Sequence, residues 1–342
     1  MTVLLVGGAG YIGAHIYEAL ISKGEDVIVV DNLETGFLQR IGPKARFFRV
    51  DIRNQAMLNS VINENRIDSV IHLAASKSVR ESTNNPLKYY INNISATLSL
   101  LKSVQNTKVK NFIFASSCSV LGNGNSDIGF SNIPKSPYGI SKLACESICE
   151  DIIKQIGLNL GILRFFNVIG CSDFKLACDL AEDSVLPNFI RKLKNGEVLD
   201  IYEDDLANKE KLQTRDYVDV RDAAQATLKI LDSLRNSKDD FNVSSGKPVN
   251  LSEMLESLRN VVTEKIDFRC IGTNEEESHQ IWCSIDKVLE KLGWSPNYSL
   301  VDSIQSQYNI MTRDWDLISK LTEINSLSKE NQKSLEITDQ DT

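Results

Sequence analysis

The chain has 342 residues, 42% of them apolar and 25% charged, with a formal net charge of −8. That length suggests about two globular domains with a sizeable core, and the acidic balance excludes a nucleic-acid scaffold, whose phosphate contacts need a basic surface. No apolar run approaches the roughly 18 residues that span a bilayer, so no membrane partner is expected, while one local cleft for an anionic ligand stays compatible with the overall charge.

Met1-Thr2-Val3-Leu4-Leu5-Val6 leads straight into a glycine-rich turn, without the basic stretch, apolar core and cleavage site of a secretory leader. A cytoplasmic chain is expected. The seven cysteines lack a C-x-x-C pair, and Cys145 and Cys149 sit one helical turn apart, which fits reduced thiols better than a disulfide framework or zinc site. With only His15, His72 and His279 available, no metal centre is expected.

In chain order, the first predicted strand, Val3–Val6, runs into Gly7-Gly8-Ala9-Gly10-Tyr11-Ile12-Gly13 and then a helix carrying Ile12, Ile16, Ala19 and Leu20 at helical spacing. Gly7 permits a tight turn, Gly10 lets backbone approach a pyrophosphate, and Gly13 lets the helix pack closely, with its N-terminal amides facing the anion. The second strand, Val27–Asp31, ends in a carboxylate that can accept from both adenosine ribose hydroxyls and would repel a 2′-phosphate. Strand, turn, helix and acidic strand end together predict a dinucleotide site, with NAD favoured over NADP. After the third strand, Arg46–Val50, Asp51 and Ile52 are placed to meet the adenine ring. After the fourth, Ser69–Leu73, Ala74, Ala75 and Lys77 are placed to line the pyrophosphate and nicotinamide ribose; each could instead be a simple loop residue.

Leu87, Ile91, Ile94, Leu98 and Leu101 recur at helical spacing before a fifth strand, Asn111–Ser116, whose end carries Ser116-Ser117-Cys118-Ser119. Ligands of doubly wound sheets lie at the carboxyl ends of the strands, so Ser117 is placed to hydrogen-bond a substrate oxygen. One short loop later, Tyr138 and Lys142 share a helical face, with Ile140, Ala144, Ile148 and Ile152 continuing that helix. A free tyrosine, with a pKa of about 10, is a poor base, but a neighbouring ammonium favours the phenolate. A sixth strand follows at Leu160–Arg164. Beyond it Pro187 is expected to open a helix that Gly196 ends, Glu203–Lys211 to form a surface loop, 219–234 to be helical, and Asn250–Leu258 to begin another helix.

This alternation predicts an α/β fold: a Rossmann doubly wound parallel sheet with a second, smaller α/β substrate domain. The expected division is 1–165 for the dinucleotide-binding domain with 213–243 returning to it, 166–212 and 244–317 for the substrate domain, and 318–342 for a polar tail.

The segments GGAGYIGAH at 7–15, DNL at 31–33, DIRN at 51–54, HLAASKSV at 72–79, YYINN at 89–93, NFIFASS at 111–117, SPYGISK at 136–142, LRFFN at 163–167 and TRDYVDVRDAA at 214–224 resemble the extended short-chain dehydrogenase/reductase family. So do NVSSGKPVNL at 242–251 and LGWSP at 292–296, and the resemblance covers roughly residues 1–310. Within the family it is strongest to UDP-glucose 4-epimerases and related nucleotide-sugar epimerases. It implies that Gly7, Gly10, Tyr11, Ile12, Gly13, Asp31, Asn32, Asp51, Ile52, Lys77 and Asn92 contact NAD. Ser117, Tyr138 and Lys142 would be catalytic, with Ser117 and Tyr138 touching substrate. Phe166 would flank the nicotinamide, Asn167 would meet the sugar diphosphate, and Arg215 would pair with a phosphate, unless it forms an internal salt bridge with Asp216 or Asp219. Tyr202 matches a position that packs on the nucleotide base, or it is core. A homodimer through helices at about 86–105 and 137–156 is implied as well.

The chain departs from the pattern where epimerases carry a second arginine: here stand Glu275-Glu276-Glu277-Ser278-His279. Leu121 replaces a familiar tyrosine and Cys118 a small residue. The implied activity is C4 epimerisation of a nucleotide-diphosphate sugar, UDP-glucose/UDP-galactose type, through a 4-keto intermediate. A keto-sugar reductase using NAD(P)H and a non-catalytic NAD-binding regulator are the alternatives. A dehydratase or decarboxylase lacks its acidic residue beside Ser117.

Overall fold

The computed structural model describes residues 1–181, 183–203, 212–234, 238–272 and 280–321. The expected strands are present within a residue or two of their predicted bounds. Strand β1 (Thr2–Val6) leads to helix α1 (Tyr11–Ser22), β2 (Asp26–Asp31), β3 (Arg46–Arg49), α2 (Gln55–Glu64) and β4 (Ser69–His72). Short helices α3 (Val79–Asn84) and α4 (Pro86–Tyr89) precede a π-helical turn at Tyr90–Ser95, which runs into α5 (Ala96–Val104) and β5 (Asn111–Ser117). A small hairpin, β6 (Gly124–Asn125) and β7 (Gly129–Phe130), precedes α6 (Pro137–Ile156) and β8 (Asn159–Phe165).

The later half carries β9 (Asn167–Ile169), α7 (Val185–Lys194), β10 (Leu199–Ile201), β11 (Thr214–Asp219), α8 (Val220–Ser233) and β12 (Lys238–Val243). It closes with β13 (Pro248–Asn250), α9 (Leu251–Arg259), β14 (Phe268–Cys270), β15 (Gln280–Trp282), α10 (Asp286–Leu292) and α11 (Leu300–Arg313).

Seven strands form a sheet of order β12-β8-β5-β4-β1-β2-β3, all pairs parallel. Parallel strands buried on both faces read as apolar runs, and successive side chains serve opposite layers. Val3, Leu5, Val27 and Val29 pack with α1 and α8, while Leu4, Val6, Ile28 and Val30 pack with α2, α5 and α6. The order of winding reverses between β1 and β4, opening a crevice at their carboxyl ends. A second sheet of order β13-β11-β15-β6-β7, with β9 on β11, stands beyond those ends.

Several expectations need correcting. Helix α8 packs on α1 and strand β12 joins the large sheet, but β11 does not return with them: it pairs with β13, β15 and β9. The hairpin β6–β7, inside the first 165 residues, also belongs to the second sheet. Helix α7 begins at Val185 rather than Pro187, because the first turn has no intrahelical acceptor for its N–H groups and tolerates proline. Residues 315–321 are still helical and Ile318 is 1% exposed, so no polar tail starts at 318. Glu203 is buried, not part of a surface loop, and accepts the Gln213 N–H at 2.7 Å; the rest of that stretch, 204–211, lies outside the described residues.

The helical apolar stripes read before β5 and within α6 do not simply face the core. Leu87, Ile91, Leu98 and Ile140 are exposed, while Tyr89, Asn93, Leu100, Cys145 and Cys149 face inward. Among the described residues no helix is long and apolar enough to cross a membrane.

Candidate active site

The glycine turn sits where β1 meets the crevice. Gly7 has φ +84°, and a Cβ there would lie 2.6 Å from the Ala74 nitrogen, so only glycine lets β1 and the segment after β4 come together. A Cβ on Gly13 would lie 2.2 Å from the Gly7 carbonyl oxygen. At Gly10 a Cβ would meet only the Gly7 oxygen, at 3.2 Å, and no side chain caps helix α1 there. The first-turn amides of Tyr11 and Ile12 thus keep their positive dipole end for an anion. The Tyr11 side chain is used elsewhere: its hydroxyl donates to the Gly170 carbonyl at 2.6 Å.

Asp31, at the end of β2, is buried and accepts the Ala9 N–H at 3.0 Å and the Leu33 N–H at 2.8 Å. Desolvation raises its pKa above the usual carboxylate range. The uncapped helix start, the open Gly10 and this carboxylate together fit a dinucleotide with a free ribose diol.

Asp51 pairs with Arg53 at 2.5 Å, and Arg53 in turn donates to the Asn92 Oδ1 at 2.7 Å. Asn32 lies beside them, Ile52 is buried, and Ala74 and Ala75 are half-buried above β4. Lys77 is the exception in its loop, because its ammonium reaches Asp179 at 3.1 Å. Asn93, which sequence reasoning missed, is buried on the π-helical turn. It donates to the Ser76 carbonyl and to the Ser141 Oγ, tying the segment after β4 to α6. A buried asparagine inside a helix is a poor helix former, and that was the available signal.

Ser117, Tyr138 and Lys142 come together where β5 ends against the start of α6. Ser136 caps α6 by accepting the Gly139 N–H, and Pro137 opens it. A Cβ on Gly139 would lie 2.8 Å from the Ser119 carbonyl oxygen. Gly139 thereby lets the helix close on the turn after β5, bringing Tyr138 to Ser117. The two serines at the strand end are sorted by their partners. Ser116 is tied to Glu146, itself paired with Arg164 at 2.7 Å, whereas Ser117 bonds the Ser119 hydroxyl and amide at 3.2 Å each and faces the Tyr138 phenol.

Burial pushes the Tyr138 phenol up to about 12, with the Ser117 hydroxyl pulling it down. Burial pulls the Lys142 ammonium down to about 8; it donates to the Ala115 carbonyl at 2.7 Å and lies 4.9 Å from the Phe114 ring centroid. Burial also raises the Cys118 thiol to about 12, which leaves it protonated and un-nucleophilic at neutral pH.

Phe166 packs in one apolar cluster with Cys118, Leu121 and Ile281. Asn167 donates to the Asp216 carbonyl oxygen at 3.1 Å, next to Arg215 on β11. The carboxylate of Asp216 is taken by the Ser245 and Gly246 amides, and that of Asp219 by Arg221 and Ser303. Tyr202 is 48% exposed, so it is not a core residue. The acidic stretch at 275–279 lies outside the described residues.

Residues 3–244 match the sequence profile of the NAD dependent epimerase/dehydratase family. A UDP-glucose 4-epimerase of Lacticaseibacillus casei is 35% identical over 313 residues, covering 89% of this chain and 94% of the relative. The crystal structure of a UDP-glucose 4-epimerase from Stenotrophomonas maltophila, with bound NAD and formylated UDP-arabinopyranose, aligns with a TM-score of 0.84 at 27% identity, covering 93% of this chain and 99% of that one. The Bifidobacterium longum UDP-glucose 4-epimerase in complex with NAD+ and UDP aligns with a TM-score of 0.81 at 29% identity, covering 92% and 99%.

Proposed function

Because the chain belongs to the NAD dependent epimerase/dehydratase family, we propose that it inverts C4 of a nucleotide-diphosphate sugar, of the UDP-glucose/UDP-galactose type, through a transient 4-keto sugar. The observation that carries this is that Ser117, Tyr138 and Lys142 gather at the carboxyl end of β5, the strand beside β4. NAD+, which Gly7, Gly10, Tyr11, Ile12, Gly13 and Asp31 would hold, would supply the hydride acceptor and donor for C4.

The chain's own residues handle the proton. Tyr138 takes it from the C4 hydroxyl and gives it back, Ser117 hydrogen-bonds the same oxygen, and the Lys142 charge favours the phenolate. Arg215 pairs with a substrate phosphate, a task suited to a forked guanidinium. Asn167 orients the diphosphate, Phe166 backs the nicotinamide, and exposed Tyr202 is available to stack on the base. The nucleotide sugar would be held chiefly by the second sheet, β11 with Arg215 included, and the segments around it. A cytoplasmic location and a homodimer complete the reading. The exposed Leu87, Ile91, Leu98 and Ile140 support the dimer, and sedimentation of wild type against Ile140→Asp tests it.

The deciding experiment offers purified protein UDP-, GDP- and dTDP-sugars and analyses products by chromatography and NMR. Conversion of UDP-glucose to UDP-galactose with no added cofactor is expected. Stoichiometric consumption of NAD(P)H would establish a reductase instead, and absence of any product would leave a binding protein.

A further inference from the structure

Residues 176–179 are held from two sides, by residues that follow β2 and β4. On the first side the buried Arg40 donates to the Leu176 carbonyl at 2.8 Å and the Cys178 carbonyl at 2.9 Å, while reaching the Ala9 carbonyl of the glycine turn at 3.4 Å. On the other, Asp179 receives the Lys77 ammonium on both carboxylate oxygens, at 3.1 and 3.2 Å. The turn therefore joins the segment after β1 to the segment after β4, the two walls between which a pyrophosphate would lie.

The pair is asymmetric. The Asp179 side chain is 9% exposed and also accepts the Ser184 hydroxyl at 2.7 Å and the Ala181 N–H at 3.2 Å. Lys77 is 54% exposed on a flexible four-carbon stem. The fixed partner is the carboxylate, so it determines where the ammonium stands.

We propose that Asp179 is a positioning residue of the cofactor site: by holding Lys77 across the crevice, it latches the 176–179 turn over the dinucleotide and slows its release. This rests on the NAD reading above and adds a residue to it. An enzyme that takes up and returns a hydride in one turnover gains nothing from cofactor exchange, and a latch outside the reacting atoms retains NAD without altering the chemistry.

The test is the rate at which bound nucleotide leaves the purified holoprotein after rapid transfer to NAD-free buffer, followed by chromatography of retained NAD. Asp179→Asn should release NAD about tenfold faster, as loss of a charge-assisted bond that closes the site acts mainly on dissociation. Asp179→Glu should restore slow release. Ser184→Ala, which removes a bond to Asp179 but leaves Lys77 in place, should release at the wild-type rate. Lys77→Met should also release faster, and the double variant Lys77→Met/Asp179→Asn should be no faster than the worse single one. Matching melting temperatures separate the latch from general loosening, and the exposed Lys77→Met carries the test if Asp179→Asn folds poorly. Wild type that retains NAD while both single variants release it no faster, or more slowly, overturns the latch alone. Wild type that neither carries nor takes up NAD overturns the cofactor reading together with it.

Discussion

Replacing Lys142 with Met removes the one cation set beside the reacting phenol on its own helix. With Tyr138 at about 12, the phenol at pH 7 is protonated by about five orders of magnitude, and bringing it into range requires about 7 kcal/mol. Residues four apart on a helix have Cβ atoms about 5–6 Å apart. The Lys142 ammonium is turned to the Ala115 carbonyl; brought to about 6 Å from the phenolate in an effective dielectric of about 20, it would contribute about 3 kcal/mol, or about two pKa units. Lys142→Met should therefore lower kcat at pH 7 about 100-fold and move the rising limb of its pH profile up by about two units. The falling limb should vanish as well, because it reflects loss of the Lys142 charge near its depressed pKa of about 8. Steady-state conversion of UDP-galactose from about pH 6 to about pH 10 measures all three effects. The lost bond to the Ala115 carbonyl costs about 1 kcal/mol of stability, which a thermal melt checks. A drop in rate with an unshifted profile would refute the electrostatic reasoning and leave Lys142 a packing role.

Arg215→Met should raise KM for the UDP-sugar about tenfold or more with a smaller change in kcat, in initial-rate assays, since it removes a charge-assisted contact made in ground and transition states alike. Gly13→Ala must displace backbone, its Cβ falling 2.2 Å from the Gly7 oxygen; loss of bound NAD and about 2–4 kcal/mol of stability in urea unfolding are expected. Burial holds His15 at about 4 and His72 at about 3, below their unfolded value of about 6.5. The unfolded chain then takes up protons first, so this stability is fully present above about pH 6.5 and falls as pH drops, by about 2 kcal/mol per histidine at about pH 5. His15 accepts the Ser172 N–H at Nε2 and donates from Nδ1 to the Tyr11 carbonyl; His15→Gln should remove about half of the acid-side loss in urea titrations.

What the sequence made legible was local. Glycines at a strand–helix junction, a carboxylate at the next strand end and a phenol four residues from an ammonium each have a fixed spacing, and each stands at the edge of the crevice. Sequence could not reveal which apolar stripe faces inward when a helix carries two. Before β5 large side chains lie on both faces, Leu87, Ile91 and Leu98 outward and Tyr89, Leu100 and Leu101 inward, so size does not tell the faces apart. Nor could it reveal partners that meet only in the folded chain, such as Lys77 with Asp179 across 102 positions. The sheet that takes β11 is hidden from the sequence for a related reason. The strand's alternation fits either sheet, and the choice is made by β13 and β15, which lie later in the chain.

The decisive measurement uses UDP-galactose carrying deuterium at C4, incubated with purified protein and no added cofactor, beside a Tyr138→Phe control that still retains NAD. UDP-glucose with the label kept at C4, formed by wild type and not by the control, is the predicted result. Label washed out into solvent, or undiminished turnover by Tyr138→Phe, would contradict hydride transfer governed by that phenol.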